Sequence, residues 1–262
     1  SLGVKSIIMA LQERRGFFPI KELLACKLQG IKVIEGISFH EMLSGKVLAT
    51  QAPPSWIIFS EGFRRHKVII IGKRILDIVF SSLGLILASP IMLLCAIAVK
   101  ASSKGPVFFK QLRTGQMEKG YKVIKFRTMA QDAEKMSGAV WATEKDPRIT
   151  GVGNILRKFR FDELPQFWNV LRGDMSFVGP RPERPEFVEQ LKERIPYYGE
   201  RHTVKPGITG WAQVNYPYGA SEEDALRKLE YDLFYIKNLS LVFDLYIALK
   251  TVKTVLVGEG AR

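Results

Sequence analysis

The longest apolar stretch of the chain runs from residue 75 to residue 99 and contains one charged residue, Asp77. As an α-helix it would be about 37 Å long, which exceeds a hydrocarbon core of about 30 Å. Pro90, preceded by Ser89, removes a helical hydrogen bond inside the stretch and predicts a kink or a break. Basic residues flank both ends, and such residues favour the cytoplasmic side of a membrane. The pattern predicts a re-entrant helix over residues 73–100, with a bitopic span and a buried core helix as the alternatives.

The residues before this stretch alternate between strand-like and helix-like runs. Strands are predicted at Val4–Ala10 and Ile31–Ile34, with a helix at Pro19–Leu28 between them. This βαβ unit is too short for a complete domain, so residues 1–52 are interpreted as the end of a larger Rossmann-like α/β domain. Since it carries no glycine-rich phosphate loop, nucleotide binding there is not supported. Residues 53–72 are interpreted as a linker.

Short strands and amphipathic helices are predicted around and after the apolar stretch. Trp56–Phe59 is predicted as a strand or interface segment, and residues 105–109 and 121–126 as two strands around a turn. Helices are expected at Glu183–Ile195, from a capping-box-like start at Ser221 and Asp224 to about Lys237, and from Leu241 to about Leu256. The fold class is therefore α+β and mostly helical, with a kinked re-entrant membrane helix and a partial Rossmann-like segment at the N-terminus.

The net charge limits the kinds of molecule that the protein is expected to bind. The chain has 39 basic and 26 acidic residues, a formal net charge of +13, and the excess is concentrated between Lys100 and Arg127. Such a surplus favours a polyanion: nucleic acid, an anionic membrane surface or phosphorylated substrates. Cys26 and Cys95 are the only cysteines, so a disulfide framework is excluded and a reducing, cytosol-facing location is favoured. No secretory signal opens the sequence.

Asp162 and Glu163 are the strongest chemical signal in the chain. They follow Arg157 and Arg160 and directly precede a helix that Pro165 begins and a glycine ends. The helix dipole and both arginines favour ionised carboxylates. One carboxylate could attack phosphorus while the other holds Mg²⁺ and the arginines neutralise phosphate oxygens. A solvated helix start with N-terminal acids is the ordinary alternative.

Further motifs follow in a fixed order. Residues 125–129 read Lys-Phe-Arg-Thr-Met, 162–166 Asp-Glu-Leu-Pro-Gln, 178–182 Val-Gly-Pro-Arg-Pro and 205–210 Lys-Pro-Gly-Ile-Thr-Gly. Together with Ser89-Pro90 in the apolar stretch, this set resembles the bacterial sugar transferases, the monotopic polyprenol-phosphate phosphoglycosyl transferases. The resemblance covers about residues 67–262, and the core motifs show no departure from the family pattern. It makes residues 101–262 the expected catalytic domain.

The resemblance implies a reaction. A sugar-1-phosphate would pass from a UDP-sugar to polyprenol (undecaprenyl) phosphate, releasing UMP, as the first membrane step of exopolysaccharide, capsule or O-antigen-type glycan synthesis. A phosphosugar–aspartyl intermediate would form on Asp162, and Glu163 would hold Mg²⁺. The implied location is the cytoplasmic (inner) membrane with the active site facing the cytoplasm. The expected partners are the donor, the acceptor, the lipid bilayer and a second copy of the chain in a homodimer, and no nucleic acid.

The same resemblance assigns the basic and polar positions. The candidates for phosphate and substrate binding are Lys125, Arg127, Arg157, Arg181, His202 and Thr209. A basic, membrane-attached scaffold of polysaccharide assembly without catalysis would also explain the charge and the apolar stretch, but it gives Asp162 and Glu163 no role. A nucleic-acid binder would not carry the apolar stretch, and a metal-dependent hydrolase of nucleotide sugars is the third alternative. No motif identifies the sugar.

Overall fold

The computed structural model describes residues 3–10, 19–60, 62–63, 66–130, 147–217, 219 and 221–257. The chain forms two compact units, with the boundary between residues 61 and 62. Within the described residues there are three two-stranded sheets, and the remaining regular structure is helical. The chain is thus an α+β protein dominated by helices, as the sequence predicts.

The first unit contains a parallel β–α–β arrangement. Strand β1 (Ser6–Met9) pairs in parallel with β2 (Lys32–Glu35), and helix α1 (Ile20–Leu28) connects them. Each element agrees with its predicted place to within a few residues. That this unit belongs to a larger Rossmann-like domain stays a prediction.

Two further helices complete the first unit. Helix α2 covers Gly36–Ser44 and helix α3 covers Pro54–Phe59. The prediction of a strand or interface segment at Trp56–Phe59 is therefore wrong in its secondary structure. Pro54 has its fixed φ at the first turn, where a missing N–H is harmless, so it starts the helix. Trp56 is buried and donates its indole N–H to the Ser38 hydroxyl at 3.2 Å.

The second unit begins with the long apolar helix α4, Lys67–Ser102, which is helical throughout and contains Pro90. It starts before the predicted residue 73. Within the described residues it is the one helix long and apolar enough to cross a membrane. The interpretation as a buried core helix is wrong, because most large apolar side chains in its middle are exposed. These include Leu83, Ile86, Leu87, Leu93 and Leu94.

An antiparallel hairpin and two short helices follow α4. Strand β3 (Phe108–Thr114) pairs with β4 (Gly120–Phe126), with Phe108 opposite Phe126. The predicted hairpin and its second strand are confirmed, whereas the first strand lies later in the chain than the predicted residues 105–109. Helix α5 covers Gly151–Lys158 and α6 covers Gln166–Arg172. Gly173 ends α6 in the left-handed region at φ 98°, which a glycine adopts without strain.

The C-terminal part combines a small parallel sheet with four helices. Strand β5 (Ser176–Val178) pairs in parallel with β6 (Gly207–Thr209). Glycines allow the close approach of the two segments: a Cβ on Gly179 would lie 2.4 Å from the Lys205 carbonyl oxygen. The helices are α7 (Pro185–Arg194), α8 (Trp211–Asn215), α9 (Glu222–Lys237) and α10 (Leu241–Val257).

The core joins α4 to the elements that carry the sequence motifs. Cys95 and Val99 of α4 pack with Phe126 at the end of β4 and Leu156 of α5. A second cluster places Val123 of β4 against α6 and the start of β5. Helix α4 therefore packs directly on the strand and the helices around Asp162.

Candidate active site

Asp162 and Glu163 lie in a single 3₁₀ turn, Phe161–Glu163, between α5 and α6. The turn follows Arg160, whose backbone is left-handed at φ 59°. Because a non-glycine residue in this region is strained, the packing of α5 and α6 must hold the bend. Asp162 is buried, with 8 % of its surface exposed. The turn thus places both carboxylates just before the N-terminus of α6, close to the predicted position.

Glu163 is the counter-ion of several cations. One of its oxygens, Oε1, accepts hydrogen bonds from Lys125 Nζ at 2.8 Å and Arg181 Nη2 at 3.0 Å. Its other oxygen lies 4.0 Å from Arg160 Nη1. A carboxylate shared by two cations leaves positive charge in excess at this point. The arrangement suits a ligand that brings further negative charge, such as a diphosphate.

Lys125 reaches Glu163 because side-chain hydrogen bonds join α6 to strand β4. Asn169 of α6 is buried; its Oδ1 accepts the Ile124 N–H at 3.0 Å and its Nδ2 donates to the Lys122 carbonyl at 2.9 Å. These two hydrogen bonds fix the strand one residue before Lys125. Sequence reasoning missed Asn169, and a buried amide inside an apolar helix face is the signal that could have found it.

Arg181 is presented by a turn that is held on its backbone. Gly179 N–H donates to the Thr209 carbonyl at 2.8 Å, and Gly207 N–H donates to the Pro180 carbonyl at 2.9 Å. Arg113 Nη1 donates to the Pro182 carbonyl at 3.2 Å. The Val-Gly-Pro-Arg-Pro motif is therefore a rigid support from which the Arg181 side chain extends to Glu163.

The two adjacent carboxyls differ in their protonation. Burial would raise the pKa of Glu163, but Lys125 and Arg181 outweigh it and hold this pKa well below its usual range. Burial raises the pKa of Asp162, and the Glu163 charge adds to the rise, while Lys125, Arg157 and Arg181 oppose it. The prediction that the helix start would favour ionisation of both acids is wrong for Asp162, because loss of hydration outweighs the nearby cations.

Arg157 and Arg127 are placed differently around this centre. Arg157 Nε donates to the Thr128 hydroxyl at 3.0 Å, and its charge acts on Asp162. Arg127 is buried and donates to the carbonyl oxygens of Ser103 and Lys104 at 2.8 and 2.9 Å. The structure therefore brings Arg157 to the site, whereas Arg127 holds the chain that leaves α4.

His202 and Thr209 are not brought to Asp162. His202 is buried in a niche behind the Arg181 turn, where burial lowers its pKa to about 4, so the ring is neutral at pH 7. Its Nδ1 has no hydrogen-bond partner among the described residues. Thr209 is buried with its hydroxyl 2.7 Å from that of Thr251 on α10. Both side chains are therefore packed inside the fold rather than in direct contact with Asp162 and Glu163.

The start of α4 is attached to this region by charged groups. Lys73 Nζ contacts Asp244 Oδ2 at 2.7 Å and donates to the Val178 carbonyl at 2.8 Å. Asp77, 3 % exposed, accepts from the Ser176 hydroxyl at 2.9 Å and the Phe177 N–H at 2.8 Å.

Asp77 is therefore bound to β5 and not to Arg74 or Lys73, the nearby cations that local sequence spacing would favour. Arg74 instead donates to the Val170 and Leu171 carbonyls, both at 2.7 Å, and so caps the end of α6.

A sequence model described as "Bacterial sugar transferase" matches residues 68–258. The match covers α4, the hairpin, the Asp162 turn and all helices up to α10. The chain belongs to the bacterial sugar transferase family. The assignment agrees with the sequence resemblance, and it accounts for the occurrence of an apolar helix, a carboxylate pair and a cation-rich centre in one unit.

Several curated members of the bacterial sugar transferase family are similar to this chain. A UDP-N-acetylgalactosamine-undecaprenyl-phosphate N-acetylgalactosaminephosphotransferase of Aeromonas hydrophila is 49% identical over 190 residues, 72% of this chain and 45% of the relative. A UDP-glucose:undecaprenyl-phosphate glucose-1-phosphate transferase of Escherichia coli is 48% identical over 191 residues, 72% of this chain and 41% of the relative.

A third relative extends across both units. The UDP-glucose:undecaprenyl-phosphate glucose-1-phosphate transferase of Xanthomonas campestris is 35% identical over 262 residues, 99% of this chain and 52% of the relative. The chain thus spans about half the length of these three relatives. Two of them are named for glucose and one for N-acetylgalactosamine, so the similarity alone does not identify a sugar.

Proposed function

We propose that this chain transfers a sugar-1-phosphate from a UDP-sugar to polyprenol phosphate, producing UMP and polyprenol-diphospho-sugar. The observation that carries the proposal is the shared Glu163 carboxylate between Lys125 and Arg181, directly beside the buried Asp162. Partly buried cations in excess of their counter-ion suit a diphosphate, and an adjacent carboxylate suits covalent transfer. The names of the relatives support the same donor and acceptor classes.

The first step is an attack by Asp162 on the β-phosphorus of the donor. A carboxylate oxygen forms the new bond to phosphorus, and the bond from that phosphorus to the oxygen bridging the two phosphates breaks. UMP leaves with the electron pair, and the phosphosugar remains on Asp162. A raised pKa goes with a more basic, more nucleophilic oxygen, while Lys125 and Arg181 oppose the charge repulsion between carboxylate and diphosphate.

The second step returns the enzyme to its starting state. An oxygen of polyprenol phosphate attacks the same phosphorus, and the acyl–phosphate bond breaks. The Asp162 carboxylate is released and the lipid diphosphosugar is formed. Neither step changes an oxidation state, and neither requires a net proton transfer when the attacking and leaving phosphates are dianions.

Glu163 is the proposed ligand of Mg²⁺. No group of three or more metal-ligating side chains occurs among the described residues. Mg²⁺ commonly binds through one or two carboxylates together with substrate phosphates, so a single glutamate oxygen fits such a site. Glu163 Oε1 accepts hydrogen bonds from Lys125 and Arg181, so Oε2, which lies 4.0 Å from Arg160 Nη1, is the oxygen that would bind the ion. When bound, the ion would neutralise charge on the diphosphate.

Helix α4 is proposed to enter the cytoplasmic leaflet and return. Asp77 is fastened to β5, and Val99 packs on Phe126 at the end of β4, so both ends of the helix contact one compact unit. Exposed apolar side chains lie between these contacts on both sides of Pro90, among them Leu87 and Leu93. A helix that crossed the bilayer could not have both ends on the same soluble unit. The kink at Pro90 remains part of this proposal.

Helix α10 is proposed to lie on the same membrane surface. Its exposed apolar residues follow one face at helical spacing: Val242, Leu245, Tyr246, Leu249 and Val252. It begins beside the start of α4, where a Cβ on Gly72 would meet Leu241 at 2.7 Å. The apolar faces of α10 and α4 are therefore neighbours, as a common lipid contact requires.

Cysteine labelling from each side of the membrane tests the topology. Lys67→Cys and Lys104→Cys are made in a Cys26→Ser, Cys95→Ala background, since both lysines are exposed. Both positions should react with an impermeant thiol reagent only from the cytoplasmic side. Labelling of one position from the outside alone would establish a span. The matched variant Ser89→Leu with Pro90→Leu should move one position across.

The activity test follows UMP from a panel of UDP-sugars, with the protein in membranes or nanodiscs. Substoichiometric UMP should form without polyprenol phosphate, and turnover should begin when it is added. UMP release that continues catalytically without acceptor would indicate a hydrolase. Absence of UMP with every donor, although the protein is folded and membrane-bound, would support the non-catalytic scaffold instead.

A further inference from the structure

The backbone of the Arg181 turn is held by a buried guanidinium. Arg201 lies in the 3₁₀ segment Tyr198–Thr203 and is 5 % exposed. Its Nη2 donates to the Arg181 carbonyl oxygen at 3.0 Å, and its Nη1 donates to the Tyr198 hydroxyl at 2.6 Å. Arg201 thus bonds to the main chain of the residue whose side chain reaches Glu163.

Arg201 is kept in place by a carboxylate on another helix. Asp232 of α9 is 1 % exposed, and its Oδ2 lies 2.8 Å from Arg201 Nη2. The contact is a close ion pair between two buried groups. An uncompensated buried charge is strongly destabilising, so Asp232 is what allows a guanidinium to remain behind the turn.

We propose that Arg201 and Asp232 are positioning residues of the transfer reaction, which hold the Pro180–Pro182 turn so that Arg181 meets Glu163 and the donor phosphate. The inference rests on the proposed function of this site. Arg201 acts through the Arg181 carbonyl, and Asp232 acts through Arg201. Neither Arg201 nor Asp232 is indicated by the sequence signals that identify Asp162 and Glu163, because the two residues are far apart in the sequence.

The pair gives the arrangement a dependence on pH. Burial raises the pKa of Asp232 to about 6, although Arg201 opposes the rise. The other ionisable groups that face this carboxylate are Glu183, Tyr198, Lys228 and Tyr235. As the pH falls through about 6, Asp232 loses its charge and Arg201 loses its counter-ion.

The same shift has an opposite effect on stability. Since the folded-state pKa of Asp232 lies above the ordinary value, the folded state binds the proton more tightly than the unfolded chain. This contribution to stability grows as the pH falls from about 6 towards the ordinary aspartate pKa of about 3.9. Protonation of Asp232 would therefore weaken the positioning of Arg181 without itself destabilising the fold.

The test compares kcat/KM for UMP release by wild type and Asp232→Asn between about pH 5 and about pH 8.5, on either side of the Asp232 pKa. The amide side chain would imitate the protonated carboxyl at every pH. We expect kcat/KM about 10- to 100-fold below wild type at about pH 8, as for displacement of a catalytic group by about 1 Å. The ratio of kcat/KM for Asp232→Asn to kcat/KM for wild type should approach one at the acidic end of the range. Taking the ratio removes pH effects common to both proteins, including those of Asp162.

Two further variants complete the design. Glu230→Gln is the matched control, because Glu230 is another buried carboxylate of α9, which contacts Arg227 at 3.4 Å. Its ratio to wild type should stay constant with pH. Asp232→Glu should restore most activity at alkaline pH. If Asp232→Asn does not fold, Arg201→Lys takes its place and should show the same alkaline loss and the same convergence in acid.

The inference would be overturned if the folded Asp232→Asn variant had the same kcat/KM ratio to wild type at every pH. It would also be overturned if this variant had wild-type activity at alkaline pH. Melting temperatures measured on the same samples separate loss of fold from loss of positioning. The proposed function is judged first and separately, by UMP release from the wild type. An active wild type with a pH-independent ratio leaves that function standing and removes the inference.

Discussion

Two clusters of charge lie at opposite ends of helix α6 and differ in how they are satisfied. In the anchor cluster (Lys73, Arg74, Asp77 and Asp244) every charged group has partners within the protein, and Lys73 alone contacts Val178, Tyr235 and Asp244. In the centre cluster (Lys125, Asp162, Glu163 and Arg181) both cations share one Glu163 oxygen. Asp162 accepts no hydrogen bond from another residue that the structure describes. The charges of the anchor cluster are satisfied within the protein, whereas the centre cluster can still bind a charged ligand.

The difference predicts which substitutions affect activity and which affect stability. A charge that the fold satisfies internally contributes to the folded state, and its removal leaves a buried partner unpaired. A charge that burial disfavours, such as that of Asp162, contributes little to folding or opposes it, and its removal affects the reaction. The expected effects below are compared on one scale, where a tenfold change in rate corresponds to about 1.36 kcal/mol.

The largest expected effect is on the reaction and comes from Asp162→Asn. Loss of the nucleophile should reduce UMP release by about 10⁴-fold or more, about 5.5 kcal/mol. The melting temperature should not fall, because burial raises the pKa of Asp162 and its charged form is therefore disfavoured in the folded state. Incubation with donor followed by mass spectrometry should find a phosphosugar adduct in wild type and none in the variant. An adduct on any other residue would contradict the assignment.

Lys73→Met should have the next largest effect, and it should act on stability. The substitution leaves Asp244 and the Val178 carbonyl without their cation, and breaking one member of a buried pair typically costs about 3–5 kcal/mol. Thermal unfolding in nanodiscs measures the loss. UMP release per folded molecule should change little.

Lys67→Met is the control for Lys73→Met, since Lys67 is exposed on the same helix. The double variant Lys73→Met with Asp244→Leu should recover part of the stability, because neither member of the pair then remains as a buried charge. Equal melting temperatures for Lys73→Met and wild type would mean that the anchor cluster does not stabilise the fold.

The contrast between the clusters also shows what a single sequence can predict. Helix α6 was predictable because local residues define it: Pro165 precedes it and Gly173 ends it in a left-handed conformation. The capping box of Ser221 and Asp224 likewise marks the start of α9. Such signals depend on neighbours within a few positions, which the sequence displays directly.

The contacts that assemble the site join distant parts of the chain, and they were not predictable. The pairing of Lys73 with Asp244 and the attachment of Asp77 to β5 depend on how α4 packs, so a search among local partners would select the wrong residues. The role of Asn169 between α6 and β4 was missed for the same reason. Arg127 and Thr209 were selected by their motifs, which here contribute to the fold as well as to the site.

Glu163→Gln should reduce activity by about 10²- to 10³-fold, about 2.7–4 kcal/mol. The amide cannot neutralise Lys125 and Arg181, and it is a weaker ligand for Mg²⁺. The Mg²⁺ concentration for half-maximal UMP release should therefore rise in the variant. If its Mg²⁺ dependence equals that of wild type, or if wild type remains active in EDTA, Glu163 is not the metal ligand. Glu230→Gln controls for the loss of a buried carboxylate.

The smallest expected effect comes from a position in neither cluster and sets the scale for the others. Ser221 caps α9: its hydroxyl accepts the Asp224 N–H at 3.0 Å, and its own N–H donates to Asp224 Oδ2 at 2.9 Å. Ser221→Ala should lower the free energy of unfolding by about 0.5–2 kcal/mol, and Ser221→Gly by only a few tenths. UMP release should be unchanged in both, because the cap lies about three helical turns before Asp232. A loss of activity larger than the loss of stability would mean that α9 transmits small displacements to the Arg181 turn, and the separation between the two clusters would then be less complete than their contacts indicate.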